Sequence, residues 1–183
     1  MLEPLERFHD AQPEGALSPD LADLWYLYAV VRDRRPETIL EFGSGCSTAV
    51  LAAAVRENGV GHIWSLDADE GWAGVTAGSL PAELRNFVTV VHTPVVEEDR
   101  DVPGWLHRDV PDVSPDFLYL DSPPLTSERA VAFDPVDLEA RFVPGFAMVI
   151  DGRHRNATYL REHLQRRYRV SKMTARYLFE LVD

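Results

Sequence analysis

The sequence predicts an α/β fold of the doubly wound kind, a parallel sheet with helices on both faces. Three observations carry this. From residue 38 onward, short apolar runs alternate with helix-length segments, and the runs are continuously apolar, as strands covered on both faces are. A glycine turn joins the first run directly to a helix. Right-handed crossovers between such units place ligands at the carboxyl ends of the strands, near the switch in strand order.

Taken in order, residues 1–17 contain Pro4, Pro13 and Gly15 without a sustained period and read as an N-terminal arm or cap, ahead of a single domain over 18–183. Ser18-Pro19-Asp20 gives an N-cap, a proline at the first helical position and an early acid. Leu21, Leu24, Trp25, Tyr28 and Val31 then recur on one face, which predicts a helix to about Arg34 with Trp25, Tyr26 and Tyr28 packed in the core. Thr38 to Phe42 is the first strand, Ser47 to Glu57 a helix stopped by Asn58-Gly59, His62 to Leu66 the second strand, and Phe87 to Val91 the third. Residues 92–115 are long enough for a functional loop, expected to be mobile without ligand. Phe117 to Leu120 is the fourth strand; Asp134-Pro135 starts a helix ending by Pro144-Gly145; Phe146 to Ile150 is the fifth. A helix from about Arg155 to Tyr168 precedes two closing strands, Arg169 to Thr174 and Arg176 to Val182.

Composition limits the partners. The 183 residues carry 18 Lys+Arg against 30 Asp+Glu, a net charge of −12. Nucleic acid is bound mainly by Lys and Arg displacing counterions, so an acidic chain argues against it, and the cluster from Arg161 to Arg169 reads as cations at a helix end. Cys46 stands alone, which fits a reducing compartment, and no stretch reaches the roughly 18 apolar residues of a membrane span. The reading is cytoplasmic, with no membrane partner and no set oligomeric state.

Two features fall where this fold binds cofactors. Glu41-Phe42-Gly43-Ser44-Gly45-Cys46-Ser47-Thr48 closes the first strand and opens a helix; its glycines let a ligand approach the main chain, and free amides at the helix start attract a carboxylate or phosphate. Asp67, beside Ala68 at the second strand tip, can accept hydrogen bonds from both hydroxyls of a ribose. Together they describe a site for an adenosine-bearing cofactor. A dinucleotide fingerprint would need a third glycine where Thr48 stands. Cys46 reads as a small residue of the loop rather than a nucleophile, having no sequence-local His or Asp partner.

With its acid at 41 and glycines at 43 and 45, the segment resembles the first motif of the class I S-adenosylmethionine-dependent methyltransferases, with Ser47 in place of the last glycine. Leu120-Asp121-Ser122-Pro123-Pro124, Arg129-Ala130 and Val149-Ile150-Asp151-Gly152-Arg153 resemble a poorly characterised bacterial branch of them. The resemblance implies a mostly parallel seven-stranded sheet with an antiparallel last strand. It also implies S-adenosyl-L-methionine held by Glu41, Gly43, Ser44, Gly45, Ser47, Thr48, Asp67, Ala68 and Asp121, and a small-molecule acceptor methylated on oxygen or nitrogen. Asp121, Asp151 and His154 are the candidate catalytic groups, with His92 a further candidate base. A divalent metal on Asp121 and Asp151 is not favoured, because Gly152 stands where catechol-type relatives carry Asn and two carboxylates make a thin site. The Ser-Pro-Pro-Leu stretch from Ser122 to Leu125 lacks the aromatic of amino-methylating enzymes that act on DNA or protein. Arg153, His154 and Arg155 offer a clamp for an anionic acceptor, or surface residues entering a helix. The alternatives are a non-catalytic nucleotide-binding protein of this fold and an NAD-dependent oxidoreductase.

Overall fold

Continuously apolar strands need cover on both faces, and that requirement organises the molecule. The computed structural model describes residues 2–13, 20–123, 126 and 131–182. The chain runs α1 (Leu2–Asp10), α2 (Leu21–Arg34), β1 (Thr38–Phe42), α3 (Cys46–Asn58), β2 (His62–Asp67), α4 (Glu70–Ser79), β3 (Val88–His92), β4 (Val95–Asp99), β5 (Pro103–His107), β6 (Phe117–Leu120), α5 (Asp134–Asp137), β7 (Ala147–Ile150), α6 (His154–His163), β8 (Tyr168–Met173) and β9 (Arg176–Leu181). Seven strands form one sheet in the order β3-β2-β1-β6-β7-β9-β8. The first five are mutually parallel, and β9 inserts antiparallel between β7 and β8. The expected doubly wound sheet with an antiparallel last strand is therefore present. The strand order reverses between β1 and β6, so the carboxyl ends of those two strands frame the crevice.

Alternation along each strand sorts the two faces. Leu40, Phe42, Leu118, Leu120, Met148 and Ile150 point to one core with Phe133, Phe142 and Leu160. Ile39, Phe117, Tyr119 and Val149 point to the other, covered by Leu27 and Val31 of α2 and Leu51 to Val55 of α3. A residue's parity on its strand thus decides which helix layer it meets.

Several local expectations change. Ser18 and Pro19 lie outside the described residues; the N-cap of α2 is Asp20, whose carboxylate accepts from Ala22 N at 2.8 Å and Asp23 N at 3.4 Å. The buried stripe of α2 is Leu24, Leu27 and Val31, whereas Leu21 and Trp25 are each 56 % exposed. Tyr26 and Tyr28 are half-buried against the core as expected, and the exposed Trp25 stacks on Tyr28 from outside. Residues 2–10 of the expected arm form a short helix that inserts Leu5 against Leu24 and Val50, and Phe8 against Ala49 and Leu80. Nine residues make a marginal helix alone, and this one is held by those two side chains.

The helix expected after Asp134 lasts one turn and passes into a 3-10 turn at Glu139–Arg141. Buried Glu139 accepts from Gln165 N, Arg166 N and Tyr168 OH, which also ends α6 at His163 rather than Tyr168. Residues 92–115, expected to form a loop, contain the antiparallel hairpin β4–β5. It docks through Trp105 N to Val131 O at 2.8 Å and Phe133 N to Trp105 O at 2.9 Å, and Arg100 makes two hydrogen bonds to Asp137. Beneath it, buried His107 bonds Asp134 through Nδ1 at 3.0 Å and packs on Phe42.

Gly104 makes that docking close: a Cβ there would lie 2.4 Å from the Phe133 ring and 2.7 Å from the Val131 carbonyl. Gly104→Ala should therefore destabilise the protein by about 1–3 kcal/mol, the usual cost of overpacking. Thermal unfolding measures this, and an unchanged melting temperature would mean that the hairpin does not pack as described.

Candidate functional site

The parallel register puts Glu41 beside Ser65 on β2 and Tyr119 on β6, all facing α2 and α3. Glu41 is fully buried. Its Oε2 accepts from Thr48 Oγ1 at 2.7 Å and Ser65 Oγ at 2.6 Å, while Oε1 has no hydrogen-bond partner among the described residues. Burial pushes this carboxyl up to about 7, against the pull of the Ser47, Ser65 and Thr48 hydroxyls.

The turn above Glu41 is fixed by its surroundings. Gly43 has φ +101°, and a Cβ there would meet Ser122 Cβ at 3.0 Å and the Asp121 carbonyl carbon at 3.2 Å, so β6's exit leaves no room for a side chain. Ser44 donates to Asp67 Oδ2 from N at 3.0 Å and from Oγ at 2.6 Å, and its carbonyl accepts from Trp72 Nε1 at 2.9 Å. Gly45 N donates to Thr48 Oγ1 at 2.9 Å, and no side chain caps the first turn of α3. A Cβ on Gly45 would find nothing nearer than Trp72 Nε1 at 4.0 Å, so the main chain there is approachable. Cys46, half-buried between Leu5 and Phe8, has its thiol pushed up by burial, the opposite of an activated nucleophile.

Asp67 ends β2 and is 8 % exposed. Among the described residues, its Oδ1 accepts only from Asp69 N, at 3.0 Å. A carboxylate oxygen offers about two lone-pair positions, so one remains on Oδ1. The Ser44 hydroxyl also lies 3.0 Å from Thr76 Oγ1, an alternative acceptor that would release a position on Oδ2. Ala68, half-buried, follows, and Asp69 serves α4 as its N-cap through Trp72 N at 2.7 Å.

Across the crevice, Asp121 leaves β6 with its N–H on Phe42 O at 2.9 Å, and Asp151 leaves β7 with its N–H on Leu120 O at 3.3 Å. The Asp121 side chain is 53 % exposed, yet its position between the strand tips costs it solvation and pushes it up to about 6; Arg153 opposes the shift, and Asp151 and Asp23 add to it. Asp151 is raised by burial and by Asp23, and accepts from Tyr119 OH at 3.3 Å. Asp20 and Asp23 at the start of α2 add to the negative charge that Asp151 experiences.

The structure thus gathers Glu41, Gly43 to Thr48, Asp67, Asp121 and Asp151 at adjacent strand tips. His154 does not point to them: its Nδ1 is 2.8 Å from Tyr177 OH, and the ring stands edge-on to Tyr177. His92 ends β3, three strands from β6, about 14 Å at the usual strand spacing, so it is no base for a group held at Asp121. Asn156 is spent on Ala132, accepting at 2.8 Å and donating at 3.1 Å. Among the described residues, no three or more metal-ligating side chains converge. Pro124, Leu125, Arg129 and Ala130 lie outside the described residues, while the Pro123 carbonyl is taken by Arg153 Nη2. Tyr119 and Trp72 were not singled out by the sequence. The signal for Tyr119 was its parity, two residues before Asp121 on the same face; for Trp72 there was none beyond lying one turn into α4.

Residues 40–152, more than half of the chain, match the model of a family described as a methyltransferase domain. No curated protein matches the sequence. Among solved structures, the O-methyltransferase from Bacillus cereus in complex with SAH is similar with a TM-score of 0.65 at 15 % identity, over 99 % of this chain and 91 % of that one. TomG from Streptomyces achromogenes, an O-methyltransferase involved in tomaymycin synthesis and solved with SAM, gives 0.65 at 16 %, over 98 % and 89 %. A putative caffeoyl-CoA O-methyltransferase from Staphylococcus aureus gives 0.62 at 13 %, over 98 % and 91 %. At such identities the likeness is one of fold.

Proposed function

We propose, since this chain belongs to the family of methyltransferase domains, that it binds S-adenosylmethionine across the β1–β6 crevice and methylates a small-molecule acceptor on oxygen or nitrogen. One observation carries the reading. Glu41, buried with an unused Oε1, lies under an approachable glycine turn that Asp67 flanks on one side and Asp121 on the other. The O-methyltransferases of this fold solved with SAH or SAM support the choice of cofactor.

The donor set fits such a group. The uncapped amides of α3 suit its carboxylate, the idle oxygen of Glu41 suits its ammonium, and Asp67 suits its ribose hydroxyls once the Ser44 hydroxyl turns to Thr76. When bound, the sulfonium supplies an electrophilic methyl group and a good leaving group. The chain's own residues hold the acceptor in line and move its proton. Asp121, half-exposed in the notch, takes that proton where the acceptor carries one, and Asp151, held by Tyr119, orients the acceptor from the neighbouring tip.

Calorimetry with S-adenosylhomocysteine, NAD and AMP tests the cofactor. Binding of the first alone is expected, and tight NAD binding would replace this reading with an oxidoreductase. Release of S-adenosylhomocysteine across an acceptor panel then separates an enzyme from a binding protein. With a working acceptor, Asp121→Asn should lower turnover about a hundredfold, in the range of general-base effects, and change S-adenosylhomocysteine affinity much less. The wild-type rate should fall below about pH 6, where Asp121 gains a proton and can no longer accept one. A loss in affinity without a loss in turnover would make Asp121 a cofactor contact instead.

A further inference from the structure

Arg153 stands at the N-cap of α6, yet its side chain makes no cap. The guanidinium folds inward instead and is 3 % exposed. Nη2 donates to the Pro123 carbonyl at 2.7 Å, tying the start of α6 to the exit of β6. Nε lies 4.0 Å from Asp121 Oδ1, an ion pair beyond hydrogen-bond reach. Among the described residues, neither Nε nor Nη1, both buried, has a hydrogen-bond partner.

A buried cation with idle donors is a costly arrangement that a fold keeps only where neighbouring charge offsets it. The groups that face Arg153 are Asp121 at the β6 tip, Tyr119 one turn of the pleat below, and Asp151 at the β7 tip. Those that face Asp121 are Arg153, Asp151, Asp23 of α2 and, beneath, Glu41 of β1. Arg176, another cation near these acids among the described residues, is paired with Asp23. Among the described residues, Arg153 is therefore the cation set against the Asp121 carboxylate. Its idle donors are closed to solvent, and a short swing of the half-exposed Asp121 carboxylate would bring an acceptor to them.

We propose that Arg153 is a positioning residue of the methyl transfer inferred above: clamped on the Pro123 carbonyl, its guanidinium fixes the exit of β6 and aims the Asp121 carboxylate into the notch. This rests on the methyltransferase reading, and it acts through Asp121 rather than on the substrate.

The test follows Asp121 itself. In the wild-type protein, the Asp121 carboxyl ¹³C signal and the Arg153 Nε–H signal, recorded by NMR from pH 4 to 9, should share one titration midpoint. Arg153→Gln should raise the Asp121 midpoint by roughly one pH unit, the lower end of the effect of an adjacent arginine. Arg153→Lys should restore most of the difference. A purely structural role would lower thermal stability in all variants and leave the midpoint where it was. The proposal is overturned if Arg153→Gln folds with an unchanged Asp121 titration, or if the Arg153 signal stays flat while Asp121 titrates in the wild type. The second result needs no variant and so survives a folding failure. Calorimetry with S-adenosylhomocysteine on the wild-type sample judges the cofactor reading separately: absent binding sinks that reading, while the Asp121 titration still decides the coupling.

Discussion

Asp67→Ala is expected to weaken S-adenosylhomocysteine binding by about 1.5–3 kcal/mol, roughly 10- to 150-fold, the scale of a lost hydrogen bond to a charged group. Two losses combine. The ribose loses its acceptor, and the Ser44 amide and hydroxyl lose the oxygen that holds the glycine turn. The fold should survive, because Asp67 sits at a strand tip whose main chain is still paired, its carbonyl accepting from Thr93 N at 2.8 Å. Calorimetry gives the affinity and thermal unfolding the control. Unchanged affinity would remove Asp67 from the site. Ser44→Ala separates the two losses: it spares the carboxylate and frees a lone pair on Oδ2, so it should leave affinity close to the wild type.

The second large effect belongs to Glu41. Its carboxyl titrates near 7 in the folded protein against an ordinary value of 4.5. Between those values the unfolded chain ionises while the folded one keeps its proton, so folding loses stability as pH rises through that window, and the loss is complete above it. Comparing wild type with Glu41→Gln by denaturant unfolding cancels most other groups. The wild type should lose about 2–3 kcal/mol relative to the variant between pH 5 and pH 8. Parallel pH profiles would show that Glu41 ionises normally. The same carboxylate should recover part of this cost when a cation lies over it. S-adenosylhomocysteine binding at pH 7 should therefore release a fraction of a proton, on the order of half, read by calorimetry in two buffers. Glu41→Gln should abolish that release and weaken binding.

Both effects come from residues that the sequence exposed, and the reason is local. An acid two residues before a glycine turn, and another at the end of the next apolar run, are placed by strand length and the parallel crossover alone. Strand boundaries held to within a residue or two for the same reason: in a doubly wound sheet, strands buried on both faces appear as unbroken apolar runs. Helix ends held less well. The end of α6 is set by Glu139, more than twenty residues away in the chain, and no periodicity near His163 records it.

What the sequence by itself determined is the positions of the seven strands of the main sheet, the glycine turn with its two acids, and the family to which they point. Which side chains meet across the sheet was decided only in three dimensions. The docked hairpin, the helix that seats Phe8, the exposure of Trp25, the turning of His154 to Tyr177, and the ion pair of Arg153 with Asp121 all depend on contacts between segments distant in the chain. Periodicity records which segments pair an apolar face with a core; the residues that are covered there, and the partner that neutralises a buried charge, are chosen by packing.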